Sequence, residues 1–333
     1  MNLRVVHAVL IAAVCVVGLD LSVRVAHAEE LRIATLAPRD SLWGRVYTVW
    51  AEAVSQKTGG RLTIRVDWNG TQGDEQAMMG KLKAGQLDGV TTSSLGLAQV
   101  HKPILALQMP GVFDSWEALD RAREALRPEF EKAAEAEGFV ISGWGDVGRL
   151  RGMGRGVAVR VPEDLRGRRA MSFRSDIIGP TLFQMVEGVT PVPLSVPEVL
   201  PALRTKTIDV LSAPSLVAEQ LQWSPLLSHV SSESSVFAIG GMVWSRRRLE
   251  QLAPDLRQVL RETGAKASAA LGTRVRAEDD AAYSRLASKM VVIKLEASEK
   301  KRWTDLFAKV RARLAQGTFS PDLVKRVEKL GGK

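Results

Sequence analysis

The fold is decided by residues 31–70, which read LRIATLAPRDSLWGRVYTVWAEAVSQKTGGRLTIRVDWNG. Residues 31–35 alternate between apolar and polar side chains, which predicts a strand. Ser41 is a suitable N-cap for the helix predicted next, and Gly59 ends that helix. Residues 62–68 alternate again and predict a second strand. A strand, a helix and a strand in this order favour a parallel sheet covered by helices.

The same alternation of strand and helix continues to residue 211, with a helix predicted over about 115–137. After Pro254, residues 255–290 contain no proline and repeat apolar side chains at helical spacing. One unbroken helix there would be about 55 Å long, which is enough to brace two domains. Further strands are predicted at residues 88–93, 139–141, 157–159, 170–173, 191–194 and 208–211.

Residues 1–28 are predicted to be a cleaved signal peptide. An apolar run follows Arg4, and Ala26-His27-Ala28 places small residues at the positions that signal peptidase reads. Cleavage before Glu29 removes Cys15, the single cysteine, and lowers the net charge from +9 to +8 because two arginines and one aspartate leave. The remaining chain of about 305 residues predicts two domains and a periplasmic protein.

No pattern of catalytic or metal-binding residues stands out. His101 and His229 are the histidines of the mature chain and lie far apart in sequence, so no zinc or copper site is predicted. The acidic pairs Asp74-Glu75 and Asp279-Asp280 are interpreted as helix caps and solvated faces, since neighbours on a helix point apart. We therefore predict no enzyme activity, no catalytic residue, no metal and no cofactor.

Nucleotides and nucleic acids are also excluded as expected ligands. Residues 143–148 (GWGDVG) fit the pattern G-x-G-x-x-G, but Gly152, Gly154 and Gly156 follow and oppose the helix that would hold a pyrophosphate. The stretch is predicted to be a glycine-rich loop after a strand. Trp144 in this loop is predicted to line a pocket, because ligands of open α/β sheets bind at the carboxyl ends of strands. The basic runs carry no interleaved aromatic residues and predict no nucleic-acid partner.

The order of short motifs resembles the extracytoplasmic solute receptors of TRAP transporters, of the dicarboxylate-receptor type. The resemblance covers residues 31–330, and its strength lies in the order and spacing of elements that are each weak alone. In chain order these are 37–41 (APRDS), 57–62 (KTGGRL), 69–70 (NG), 73–75 (GDE), 82–88 (LKAGQLD), 110–113 (PGVF), 162–167 (PEDLRG), 193–194 (PL), 198–199 (EV) and 202–203 (AL).

The resemblance implies an α/β fold of the periplasmic-binding-protein type, a clamp of two domains. Each domain would be a mainly parallel sheet flanked by helices, and crossing strands and a long helix would bridge them. Domain I is expected to comprise 29–148 plus about 236–265, and domain II about 149–235 plus 266–333. A small-molecule ligand would bind between the domains and be delivered to TRAP membrane permease subunits.

The chain departs from the family at the expected carboxylate clamp. Counted from residues 165–167, the family's clamp arginine falls on Met171, and the polar run that usually follows reads DVLSAP over 209–214. Methionine fills irregular apolar space, so these changes predict a substantially apolar ligand. They also resemble the subfamily that lacks the arginine and works with a periplasmic tetratricopeptide-repeat protein.

Two alternatives remain open at this point. Arg174 could replace the clamp arginine and hold an ordinary organic anion, or the clamp could serve as the input module of a periplasmic sensor. In each case the site is expected at strand ends and at the crossing between domains. The predicted ligand-binding residues are Leu36, Ser93, Ser94, Trp144, Met171, Phe173, Arg174, Leu211, Ser212, Ala213 and Phe237.

Overall fold

The computed structural model describes residues 28–333, so the predicted signal peptide lies outside the described residues except for Ala28. The strands are β1 (Glu29–Thr35), β2 (Leu62–Asp67), β3 (Gly89–Ser93), β4 (Phe139–Gly154), β5 (Arg169–Phe173), β6 (Thr190–Leu194), β7 (Val210–Pro214), β8 (His229–Ser231), β9 (Val236–Ser245) and β10 (Val291–Ile293). The helices are α1 (Leu42–Lys57), α2 (Glu75–Lys83), α3 (Ser94–Leu97), α4 (Trp116–Ala136), α5 (Ile178–Gln184), α6 (Val196–Arg204), α7 (Ser215–Gln220), α8 (Arg246–Gln251), α9 (Pro254–Ala287), α10 (Ala297–Leu314) and α11 (Pro321–Leu330).

The strands form one sheet in the order β2-β1-β3-β9-β4-β7-β5-β6, and β8 joins β4 to β10. The outer groups β2-β1-β3 and β7-β5-β6 are parallel. Strands β4 and β9 run antiparallel to each other and to their outer neighbours β7 and β3. The predicted α/β fold with two sheet halves and crossing strands is confirmed.

Strand β4 is much longer than its sequence predicts. It has 16 residues and continues through the segment that was predicted to be a glycine-rich loop. Strand β9 pairs along it with register shifts between Ile141 and Trp144 and between Asp146 and Gly148. At Gly148 a Cβ would lie 2.9 Å from the Asp279 carboxyl group, so glycine permits the close approach of β4 to α9. The loop prediction was wrong because the strand partner is nearly a hundred residues away in sequence.

The prediction of a strand at residues 157–159 is also wrong, since this segment forms no strand in the described chain.

In contrast, the predicted long helix is confirmed. Helix α9 has 34 residues and is unbroken at Gly264 and Gly272, which corresponds to about 51 Å. It packs against β4, α1 and α7 and thereby contacts both sheet halves. No helix among residues 28–333 is long and apolar enough to span a bilayer.

The exact division of the chain between domains remains a prediction. Helices α10 and α11 were assigned to domain II. The structure places α10 against α5, on the side of β5 and β6, but places α11 against α4. Val324 and Val327 of α11 are buried in the same apolar cluster as Phe130 of α4. The C-terminal helix thus contacts the half of the molecule that contains β1 to β3.

A ring of four charged groups joins α4, β4 and α9. The Asp146 carboxylate, 1% exposed, accepts hydrogen bonds from Arg123 Nη1 at 2.8 Å and Arg276 Nε at 2.7 Å. Asp120 accepts from the same two guanidinium groups at 2.6–2.8 Å. Arg276 also lies over the ring of Trp116 at 4.7 Å. Two cations and two anions neutralise one another beside the point where β4 shifts register.

Replacing Asp146 by asparagine should lower the free energy of unfolding by about 3 kcal/mol or more, because two guanidinium groups lose their shared buried carboxylate. The measurement is urea denaturation of the ligand-free protein. Asp305→Asn is the matched control, since its carboxylate forms an exposed pair with Lys301. Its loss should stay below about 0.5 kcal/mol. Equal losses in the two variants would contradict a structural role for the ring.

Candidate ligand-binding cleft

A cavity of about 860 Å³ lies between the two sheet halves. Its walls include the segments that follow β1 and β5 and the ends of β3 and β7, together with the crossing strands β4 and β9. The carboxyl ends of parallel strands meet there, which is where ligands of open α/β sheets bind. The size is within the range typical of sites for small organic ligands.

Most of the predicted ligand-binding residues line this cavity. Leu36 and the serines at the end of β3 contribute from one half, and the residues of β5 and β7 contribute from the other. Phe237 of β9 is 2% exposed and lies at the crossing. The predicted residues in the walls are Leu36, Ser93, Ser94, Met171, Phe173, Leu211, Ser212, Ala213 and Phe237. Their contact with a ligand remains a prediction.

Trp144 does not line the cavity, which corrects its predicted place. The residue belongs to β4, and its indole packs against Phe130 of α4 with ring centroids 6.4 Å apart. Its Nε1 donates a 2.9 Å hydrogen bond to Glu131. The prediction failed because residues 143–148 form a strand instead of a loop, and the alternation along this strand directs the indole toward α4.

Arg174 does not line the cavity either, so the structure gives no support to its role as a replacement clamp. Its guanidinium group is 47% exposed and donates a 2.7 Å hydrogen bond to Glu198 of α6. This bond holds the pKa of Glu198 at about 2. Arg174 follows the last residue of β5, and its side chain is occupied by a surface ion pair.

The apolar substitutions seen in the sequence do face the cavity. Met171 is 5% exposed, and Leu211 and Ala213 are similarly buried on β7. Met171 and Leu211 belong to one apolar cluster with Trp223 of the segment after α7. The expected clamp position is therefore occupied by an apolar side chain in a buried wall.

The main feature missed in the sequence is Arg151. It lies on β4 opposite Ala213, lines the cavity and is 4% exposed. Its Nη1 donates to the Ser232 carbonyl oxygen at 2.5 Å, and its guanidinium group lies 4.0 Å above the ring of Tyr283. Its Nε has no hydrogen-bond partner among residues 28–333, and no carboxylate in that part of the chain forms an ion pair with it.

The surroundings make the Arg151 charge unfavourable. Burial and the neighbouring Arg149 guanidinium group lower the pKa of Arg151. Arg149 itself is paired with Asp280 at the surface. Asp279, 1% exposed, accepts the backbone N–H groups of Arg149 at 2.9 Å and Leu216 at 3.0 Å, and its burial raises its pKa. The prediction of a solvated face was wrong for Asp279.

Glu75 is a second polar residue that the sequence did not reveal. Asp74 caps α2 as predicted, with its side chain accepting from Ala77 N at 2.9 Å. Glu75, in contrast, is 7% exposed and lines the cavity instead of a solvated face. Its Oε1 accepts hydrogen bonds from Thr92 Oγ1 and Ser93 N, both at 2.7 Å. The cavity therefore has an acceptor in one half and a buried cation in the other.

A sequence model described as "Bacterial extracellular solute-binding protein, family 7" matches residues 33–317. The chain belongs to this family. Its resemblance to TRAP solute receptors, noted from short motifs, agrees with that match. The subfamily that lacks the clamp arginine remains a prediction.

Solved structures of TRAP periplasmic solute-binding proteins share the fold. One from Sulfurospirillum deleyianum, with bound succinate, has a TM-score of 0.84 and 16% identity, covering 91% of this chain and 99% of that one. The sugar acid binding protein of Advenella mimigardefordensis, in complex with galactonate, has a TM-score of 0.85 and 17% identity, covering 92% and 98%. At these identities the likeness establishes the two-domain fold alone.

Relatives found by sequence match this chain over only part of their own length. The 2,3-diketo-L-gulonate-binding periplasmic protein YiaO of Escherichia coli is 23% identical over 215 residues, which is 63% of each chain. The uncharacterized protein y4mM of Sinorhizobium fredii is 27% identical over 82% of this chain and 49% of its own length. The chain thus spans about half to two thirds of these relatives.

The cavity also extends over the face of the sheet that helices α1 and α9 cover. Its walls there are Trp43, Tyr47 and Trp50 of α1, Thr91 of β3, Met242 of β9, and Gly264, Ala267, Ser268 and Leu271 of α9, a set that we call the α1–α9 chamber. Thr91 and Met242 are paired across β3 and β9 and point to the same face. The Thr92 side chain, which donates a hydrogen bond to Glu75, points to the opposite face of the sheet.

Tyr47 provides a test of this burial. Burial raises the pKa of the Tyr47 hydroxyl from 10.0 to about 12, opposed in part by the nearby Thr91 hydroxyl. A phenol with a raised pKa in the folded state contributes stability below pH 10 that is lost as the pH rises toward 12. The wild type should therefore lose about 2 kcal/mol more than Tyr47→Phe across this window.

The measurement is the free energy of unfolding of both proteins at several pH values between 9 and 12, with the same ionic strength throughout. The difference between the two proteins, and not the wild-type curve alone, isolates the phenol. Parallel curves would show that Tyr47 ionises as freely in the folded protein as in the unfolded one.

Proposed function

We propose that this protein is a TRAP-type solute receptor that captures an organic acid with a substantially apolar body and delivers it to a membrane permease. The observation that carries the proposal is Arg151, a guanidinium group buried in the cleft without a carboxylate partner in residues 28–333. This revises the prediction of a substantially apolar ligand by adding a charged contact at one end.

The energetics favour an anionic ligand group at Arg151. A buried charge without a counterion is strongly destabilising, and removal of one partner from a buried pair typically costs about 3–5 kcal/mol. The ring of Tyr283 and one carbonyl oxygen offset only part of this cost. A ligand carboxylate could accept the free Nε–H and form a charge-assisted contact in a water-poor site.

The remaining walls favour an apolar body on the same ligand. Met171, Phe173, Leu211 and Phe237 offer carbon surface to the cleft. Each buried methylene contributes about 0.8 kcal/mol of binding free energy. Methionine adapts to irregular shapes, which suits a flexible or branched group. The acid is thus expected to be held at one end by charge and along its length by apolar contact.

The ligands of similar structures support the acid part of the proposal. Besides the complexes with succinate and galactonate, a receptor of Bordetella pertussis with a TM-score of 0.83 and 18% identity binds pyroglutamic acid. Each of these ligands is a carboxylic acid or its anion. The apolar part is supported by the walls of this chain alone.

Transport follows from the clamp without any catalytic step. Contacts that a ligand makes with both halves at once stabilise the closed form and shift the population toward it. Recognition of the closed form by TRAP permease subunits would then commit the ligand to transport. The predicted location is the periplasm, and a tetratricopeptide-repeat partner remains an expectation from the resemblance.

Calorimetric titration with monocarboxylates from butanoate to hexadecanoate, each beside its primary amide, tests the proposal. We expect the acids to bind and the amides to bind much more weakly. Arg151→Met should lower the affinity for acids by at least about 3 kcal/mol, since the charged contact is lost while the volume is nearly kept. Arg174→Ala, the matched control, should change it by less than about 0.5 kcal/mol.

The opposite ranking of the two variants would restore Arg174 as the clamp. Amides that bind as tightly as the acids, with no effect of Arg151→Met, would instead favour an uncharged apolar ligand. Either result would overturn the assignment of the acid group to Arg151.

A further inference from the structure

We infer that the α1–α9 chamber holds the far end of a long-chain ligand, so that the receptor takes long aliphatic acids or acids with an apolar tail of similar length. The inference rests on the proposed function, because the acid group of the same ligand lies at Arg151. It adds the length of the ligand and the place of its tail.

The chamber has an aromatic side and a side of small residues. The aromatic side is formed by Trp43, Tyr47 and Trp50 of α1. Gly264, Ala267 and Ser268 of α9 face the cavity opposite them, and a Cβ added at Gly264 would come no closer than 3.9 Å to the Trp50 ring. Small side chains on α9 thus leave room beside the aromatic rings. A tail of methylene groups could fill such a space by apolar contact alone.

Thr91 adds a polar group to the chamber beside the Tyr47 hydroxyl. The residue is 5% exposed, and its hydroxyl group interacts with that of Tyr47. A hydroxyl group can both donate and accept hydrogen bonds, so this pair retains capacity for a hydroxyl group at the far end of a ligand.

The spacing of Arg151 and the chamber along α9 gives the approximate length expected of the ligand. Arg151 stacks on Tyr283, and Ala267 of the chamber lies sixteen residues earlier on the same helix. At 1.5 Å per residue these positions are about 24 Å apart along the axis. An extended octanoate chain covers less than half of this distance, whereas hexadecanoate covers most of it and the arginine side chain reaches toward it. Short dicarboxylates could not contact both regions.

Affinities of octanoate and hexadecanoate, measured below their micelle concentrations, test the inference with two variants of α9. In the wild type, hexadecanoate should bind at least about 100-fold more tightly than octanoate. Ala267→Phe fills the chamber and should weaken hexadecanoate by about ten-fold or more, with octanoate changed less than about two-fold. Ala269→Phe, at an exposed position two residues away, should alter neither.

Thr91→Val provides a second test in case Ala267→Phe does not fold. This substitution preserves shape and removes the Thr91 hydroxyl group. ω-Hydroxyhexadecanoate should lose about five-fold or more in affinity relative to hexadecanoate when Thr91 is replaced. An unchanged ratio, together with folded Ala267→Phe that binds both acids normally, would place the tail elsewhere.

The outcomes separate this inference from the proposed function. If acids bind through Arg151 but hexadecanoate gains nothing over octanoate, the chamber inference fails and the proposed function stands. If no acid of either length binds and Arg151→Met has no effect, the proposed function fails first. A gain with length that Ala267→Phe leaves intact would also overturn the chamber as the site of the tail.

Discussion

The antiparallel pairing of β4 and β9 is the constraint on which the rest of the structure depends. Both strands pass from one sheet half to the other, and the parallel strands of each half are attached to one of them. The register shifts in β4 lie beside Asp146, whose carboxylate joins α4 and α9. Arg151 lies further along the same strand, on the cleft side. One strand therefore connects the two halves, anchors α9 and carries the cation of the site.

A clamp that binds by closure must hold its polar groups ready without satisfying them internally. Arg151 meets this requirement, because α9 supplies an aromatic ring beneath it while the nearby carboxylate Asp279 is occupied by backbone N–H groups. Arg149, two residues away, is paired at the surface instead. Arg149 also lines the cavity, but it has a carboxylate partner, whereas Arg151 has none among residues 28–333. Charge selects the acid, and the apolar walls determine which acids are retained.

Much of the fold follows from local patterns. The Ser41 and Asp74 caps, the alternation in β1 and β2, and the long helix α9, which has no proline after Pro254, were all predicted and confirmed. The length of β4 could not be predicted, because its glycines favour a loop locally and its partner β9 is distant in sequence. Arg149 and Arg151 can be placed on a strand only when the full length of β4 is recognised. The buried cation was missed for this reason. The error at Trp144 has the same cause.

The cleft is proposed to retain an acid with an apolar chain. Mass spectrometry of compounds released by denaturing protein purified from its native periplasm tests it most directly, with Arg151→Met protein prepared in parallel. We expect a carboxylic acid with a long apolar chain in the wild type and its loss from the variant. A hydrophilic dicarboxylate, or a neutral compound retained equally by both proteins, would show that the cleft does not select such an acid through Arg151.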